Sequence, residues 1–382
     1  MPRVALLMAA ILAFFGLIAA GQNSLNRQQG ARNSSSAVQA GEEPPSAQAE
    51  QELQKGTDLT KQGLFAQAIP HLLAAQGRVG NDYAAAFNLA LCYVATGQPE
   101  KAIPVLAQLR AQGHDNADVN NLLTQAYIGE GHDEDALKAL RRAAAMAPAS
   151  EKLYMFVADA CMSRQNYTFG LKAVDLGLDY LPNSAWLHYE RGMFLALMDE
   201  FDEGRKDFRL AAKLAPETTP GLVAAAQESM MEGDLSNAIR VAREGINQKQ
   251  ENFILLTLLG RALLQSGAAP GQPEFAEAKQ ALEESIAERP GYAQSQLTLG
   301  KLYLLENRLA EAIEHLEMAR QLNPADPAVY STLAVAYRRQ GDLQKAQSVL
   351  AVLAKINQEQ AEKIRSAPGD RKLSYGQAGA LK

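Results

Sequence analysis

The stretch AFNLALCYVATGQPEKAIPVLAQL, residues 86–109, places two apolar runs on either side of one glycine. Within each run the apolar side chains recur at three- and four-residue spacing, as on one face of a helix. The stretch predicts two amphipathic helices of roughly twelve to fifteen residues joined by a turn at Gly97. The pattern repeats. Gly63, Gly97 and Gly131 stand 34 residues apart, and Gly233, Gly267 and Gly341 continue the register, with Gln165, Asp199 and Asn307 at the places between. Nine helical hairpins follow, beginning near Ala49, Tyr83, Ala117, Glu151, Ala185, Thr219, Phe253, Ala293 and Pro327. Eight have 34 residues. The seventh, residues 253–292, has 40, with six extra residues inside SGAAPGQPEFAEA.

Two more columns keep the same period. Seven residues before the turn stand Gly56, Ala90, Thr124, Ala158, Gly192, Ala226, Gly260, Gly300 and Ala334. Five after it, counting past the insertion, stand Ala68, Ala102, Ala136, Gly170, Gly204, Ala238, Ala278, Ala312 and Ala346. Antiparallel helices cross closely only where no bulky side chain holds them apart, so these columns mark the crossing. The glycine between them lets the chain leave the first helix through a left-handed conformation. Asn307 is a common substitute there. Gln165 and Asp199 suit it less, so the fourth and fifth hairpins are expected to have slightly different turns. Pro70 and Pro104 are expected at the end of the first turn of their helices, where a missing N–H costs little. Pro148, Pro182, Pro216, Pro290 and Pro324 stand where second helices should stop.

These columns resemble those of the tetratricopeptide repeat. The third hairpin, ADVNNLLTQAYIGEGHDEDALKALRRAAAMAPAS, carries the family pattern at Leu123, Tyr127, Gly131, Ala136, Leu140, Ala143 and Pro148. The resemblance runs from about residue 49 to 360. The family tryptophan at the fourth position is missing, and Tyr154, His188 and Tyr330 stand there in three hairpins. The resemblance implies an all-α solenoid, a right-handed superhelix of about nine helix-turn-helix units whose concave face holds extended peptides or partner helices. It also implies which side chains line that face. In the middle hairpins these are Lys152, Met155, Asp159 and Met162, then Trp186, Tyr189 and Met193, then Val223, Gln227, Met230 and Met231. In the last three they include Arg261, Lys301, Arg338 and Arg339. The expected groove is apolar in its centre and basic toward its C-terminal end, suited to an extended segment with acidic residues. The plainer alternative is that these methionines and aromatics are packing and these arginines solvated surface. The family's clamp for a terminal carboxylate is not expected in the first six hairpins, because Asn121 lacks the flanking Lys and Arg. Arg338 and Arg339 leave room for an anion site at the C-terminal end.

Composition narrows the function. The net charge is −6 with basic residues scattered, which argues against nucleic acid as a partner. After Met1-Pro2-Arg3, residues 4–20 carry no charge, and Ala19-Ala20-Gly21 offers a cleavage site. Residues 1–21 are expected to be a secretory signal peptide or, uncleaved, a membrane anchor. Either places the remainder outside the cytoplasm, secreted or periplasmic. Residues 22–48 read as a disordered linker, 49–360 as the repeat array and 361–382 as a C-terminal tail. Cys92 and Cys161 lie two hairpins apart, about 20 Å by layer spacing, too far for a disulfide and expected as buried free thiols. No two of the five histidines share a helix at metal-ligand spacing, and no phosphate loop or nucleophile elbow appears. Asn166-Tyr167-Thr168 fits a glycosylation sequon.

The sequence thus predicts a non-enzymatic protein–protein interaction scaffold, without cofactor, metal or catalytic residues, in envelope biogenesis or polymer export. Alternatives are a chaperone-like holder of exported chains, or the non-catalytic subunit of an envelope enzyme complex such as a glycosyltransferase.

Overall fold

The computed structural model describes residues 46–248 and 252–366. The signal or anchor at 1–21, the linker up to residue 45 and the tail beyond residue 366 lie outside the described residues. The chain divides into two compact units, one ending at Leu258 and the other beginning at Leu259. Every regular element among the described residues is an α-helix.

The first unit holds α1 (Ala47–Lys61), α2 (Phe65–Ala75), α3 (Asp82–Ala95), α4 (Pro99–Ala111), α5 (Ala117–Glu130) and α6 (Asp133–Met146). It continues with α7 (Glu151–Arg164), α8 (Tyr167–Tyr180), α9 (Ala185–Leu197), α10 (Phe201–Leu214), α11 (Thr219–Glu232) and α12 (Leu235–Asn247). The boundary falls inside α13 (Phe253–Gln265). The second unit goes on through α14 (Pro273–Glu288), α15 (Ala293–Leu305), α16 (Leu309–Leu322), α17 (Pro327–Gln340) and α18 (Leu343–Ser366). Among the described residues the helices pair in order as nine hairpins. Residues 361–366, expected in the tail, continue α18.

The two small-residue columns lie at the helix crossings, and every member of both is buried. Leu72 packs so closely on Gly56 that an added Cβ would lie 2.7 Å from it, and Leu282 and Leu316 stand in the same relation to Gly260 and Gly300 at 2.6 Å. A side chain there would force the hairpin open.

All nine turn residues adopt the left-handed conformation. Gln165, Asp199 and Asn307 do so at φ of 56°, 65° and 60°, beside Gly131 at 75° and Gly341 at 89°. The expectation of different turns in the fourth and fifth hairpins is therefore wrong. Asn166 donates its backbone N–H to Cys161 at 3.0 Å, as His132 does to Tyr127 at 2.9 Å, and Glu200 to Leu195 at 2.9 Å. These bonds close the helix end whatever the side chain at the turn.

Pro70 and Pro104 also differ from expectation. Each is the sixth residue of its helix, not in the first turn, and each withholds one helical hydrogen bond. The carbonyls left over belong to Ala66 and Glu100, both exposed residues. Pro148, Pro182, Pro216, Pro290 and Pro324 each follow the last helical residue by two, as expected of stop signals.

Candidate functional site

The first helices of the middle hairpins carry the residues expected to face a partner. In the first unit Met155, Met162, Trp186, Met193, Gln227, Met230 and Met231 are half-buried, while Lys152 and Asp159 are exposed. Met155 and Met162 also pack against the core around Tyr154 and Phe169. Tyr189 does not belong to this surface. It is 3% exposed, with its ring 5.6 Å from Phe208 and edge-on to Trp186 at 5.9 Å. The cause is Gly192, one turn on, whose missing Cβ lets Phe208 press against α9. Val223 is likewise fully buried. One exposed residue was missed: Leu197, one turn beyond Met193, is 43% exposed. Its place thirteen residues into the hairpin was the available signal.

In the second unit Arg261 is half-buried, and Lys301, Arg338 and Arg339 are exposed. Lys301 and Arg339 line a cleft of about 370 Å3 together with Leu264, Gln265, Leu304 and Leu305. Arg338 stands outside this lining. Arg339 donates from Nη1 to the Leu304 carbonyl at 3.0 Å, which fixes the guanidinium at the rim. The expectation of a basic end is thus incomplete. The cations of this unit stand over an aliphatic floor, and Leu264, Leu304 and Leu305 were not singled out from the sequence.

Three of the five histidines are held in structural contacts. His71 Nδ1 meets Glu52 Oε2 at 2.5 Å, His188 Nδ1 meets Asp207 Oδ1 at 2.8 Å, and His315 Nδ1 meets Gln296 Oε1 at 2.7 Å. Each pair joins the fourth residue of a hairpin to the same place on its second helix. Arg191 adds two bonds to Asp207, at 2.8 and 2.7 Å. Burial works to raise the Asp207 pKa, but the bonds from His188 and Arg191 bring it below the ordinary aspartate value. The fourth residue also reaches back to the preceding hairpin. Tyr154, His188, Gln296 and Tyr330 donate to the carbonyls of Pro148, Pro182, Pro290 and Pro324 at 3.3, 3.0, 3.0 and 2.6 Å.

Cys92 and Cys161 are free and buried, and burial pushes both thiols up to about 12. The Asn166 amide of the sequon is engaged twice, donating to Asp133 at 2.8 Å and accepting the Phe169 N–H at 3.2 Å. It caps α8.

With this geometry in place, comparison with known proteins gives three matches to the tetratricopeptide repeat, over residues 59–126, 272–320 and 304–367. The matched hairpins are similar to tetratricopeptide repeats. The chain is 25% identical over 184 residues to the Hsp70-Hsp90 organizing protein of Triticum aestivum, covering 46% of this chain and 29% of that protein. It spans less than a third of the length of that relative. Among solved structures, human IFIT1, as a dimer with PPP-AAAA, has a TM-score of 0.48 at 17% identity, covering 70% of this chain and 66% of that one. A tetratricopeptide repeat protein from Parabacteroides merdae has a TM-score of 0.42 at 16% identity, covering 76% and 99%.

Proposed function

We propose that the protein is a non-enzymatic scaffold outside the cytoplasm that holds an extended or helical segment of a protein partner against the first-helix faces of its repeats. One observation carries this reading. Met155, Met162, Trp186, Met193 and Met230 lie on first helices of three successive hairpins and are left half-buried, with Leu197 more exposed still. Flexible methionines around a rigid indole form a surface able to accept varied apolar side chains. The match to the tetratricopeptide repeat and the likeness to an Hsp70-Hsp90 organizing protein agree with a scaffold role. The extracytoplasmic part rests on the uncharged segment of residues 4–20, and a role in envelope biogenesis or polymer export follows from that location.

The methionine content also favours a second reading, a holder of many unfolded exported chains. Affinity capture from native envelope, using the wild type and Trp186→Ala with Leu197→Ala, separates the two. A scaffold retains one defined partner and loses it in the variant at unchanged helicity; a holder retains a broad mixture. Capture indifferent to both substitutions overturns the assignment of this face. The mass of the mature protein and its recovery in cell fractions test the location.

A further inference from the structure

The second unit carries cations that stand outside its salt bridges. Arg261 on α13, Lys301 on α15, and Arg338 and Arg339 on α17 form no ion pair among the described residues, whereas nearby Lys279, Arg308, Arg320 and Lys345 all do. The carboxylate that acts on Lys301 is that of Asp326, which already accepts the Ala328 N–H at the start of α17. Surrounding protein first, and the Arg261 charge second, hold the Lys301 ammonium below the usual lysine range in spite of Asp326. Arg339 spends one N–H on the Leu304 carbonyl at 3.0 Å, out of the five that a guanidinium carries. Its orientation is therefore set before any ligand arrives.

The floor between Lys301 and Arg339 is aliphatic. Leu264, Leu304 and Leu305 line the cleft of about 370 Å3, and Leu305 is 54% exposed although large and apolar. Cations beside an apolar floor favour a ligand that carries a negative charge and an aliphatic group side by side.

We infer that this cleft binds a partner segment in which an acidic side chain adjoins a large aliphatic one. The carboxylate lies between Lys301 and Arg339, and the aliphatic group lies against Leu264, Leu304 and Leu305. The inference rests on the scaffold reading and names the chemistry of the segment held.

The test uses the full-length mature protein and fluorescein-labelled peptides with acetylated and amidated ends, read by anisotropy. The probe is Gly-Ser-Glu-Leu-Glu-Leu-Gly-Ser; its controls replace both Glu by Gln, or both Leu by Ser. The probe is expected to bind saturably, with each control weaker by about tenfold. Lys301→Gln should weaken the probe by about fivefold to tenfold and leave the Gln control unchanged. Among the described residues Lys301 has no bond to the backbone, so its variant is cleaner than Arg339→Gln, which also frees the Leu304 carbonyl. Absence of saturable binding up to about 1 mM, equal affinity for the Gln control, or an unaffected Lys301→Gln variant overturns the inference. Equal binding by a Gln-Leu peptide with a free C-terminal carboxylate also overturns it, since the cleft would then read a chain end. Partner capture through Trp186 and Leu197 does not involve these residues. Its persistence in Lys301→Gln leaves the scaffold reading standing if the cleft assignment fails.

Discussion

Gly192 and Gly204 face each other across the fifth hairpin so closely that a Cβ added to either would lie 2.9 Å from the other's carbonyl oxygen. The crossing of α9 and α10 is thus backbone against backbone. Gly204→Leu should destabilise the first unit by about 1–3 kcal/mol, and Ala102→Leu at the corresponding place in the second hairpin should cost a similar amount. Gln108→Leu, on the exposed side of α4, should stay within about 0.5 kcal/mol of wild type. Urea denaturation compares the three. Equal costs would mean that the buried columns do not govern the crossing.

The left-handed turns at Gln165, Asp199 and Asn307 carry a side chain where six other hairpins have glycine. A left-handed non-glycine residue costs roughly 1–2 kcal/mol, partly offset by the greater freedom of glycine in the unfolded chain. Gln165→Gly should therefore raise stability by up to about 1 kcal/mol, and Asn307→Gly by less, because asparagine tolerates this region. The reverse change, Gly131→Ala, should lower it. Midpoints of chemical unfolding read all three.

Asp207 holds His188 and Arg191 at the base of the same hairpin, and its carboxylate is nearly enclosed. Its folded pKa lies below its unfolded value of about 4. The stabilisation it brings is present above that unfolded value and is lost as pH falls through the folded one. Asp207→Ala leaves two donors without their acceptor and should cost about 3–5 kcal/mol near neutrality. Unfolding measured across an acid series should show wild type and variant converging as the pH drops. A constant gap would show that Asp207 contributes through packing alone.

Both thiols sit at zero exposure, with their ionisation pushed up to about 12. Neither Cys92 nor Cys161 should react with a thiol-specific disulfide reagent in the folded protein, and both should react after denaturation. Fast labelling of either in native buffer would place a local opening at α3 or α7.

The hairpins and their crossings were legible because backbone contact demands small residues, and Gly192, Ala102 or Gly300 display that demand in their identity. The exposure of single side chains was not. Tyr189 and Met193 share one helix face by spacing, yet Phe208 covers one and spares the other, a result that depends on the bare Gly192 between them. The turn at Gln165 was misread because local preference suggested a different path, while the Asn166-to-Cys161 bond and the flanking packing hold the same one. The aliphatic floor of Leu264, Leu304 and Leu305 escaped notice because residues from two hairpins must be brought together before it exists. The bonds from Tyr154, His188, Gln296 and Tyr330 to prolines six residues upstream were hidden for another reason. The sequence shows a donor and a stop signal, and only the folded chain turns the carbonyl toward the side chain.

Those four bonds bear on how the protein could be recombined. Leu222 has no donor for Pro216, and there Gly221 instead lets the Ala215 carbonyl occupy the place that a Cβ would take. These five junctions between hairpins therefore each have a fastening whose halves lie on opposite sides of the nominal repeat boundary. A chimera cut between Pro148 and Tyr154 would inherit a phenol without its acceptor, and one cut between Ala215 and Gly221 would set a foreign Cβ against a carbonyl. The transferable segment of this chain is not residues 151–184 as the period counts them, but a longer piece that keeps each proline with the residue reaching back to it.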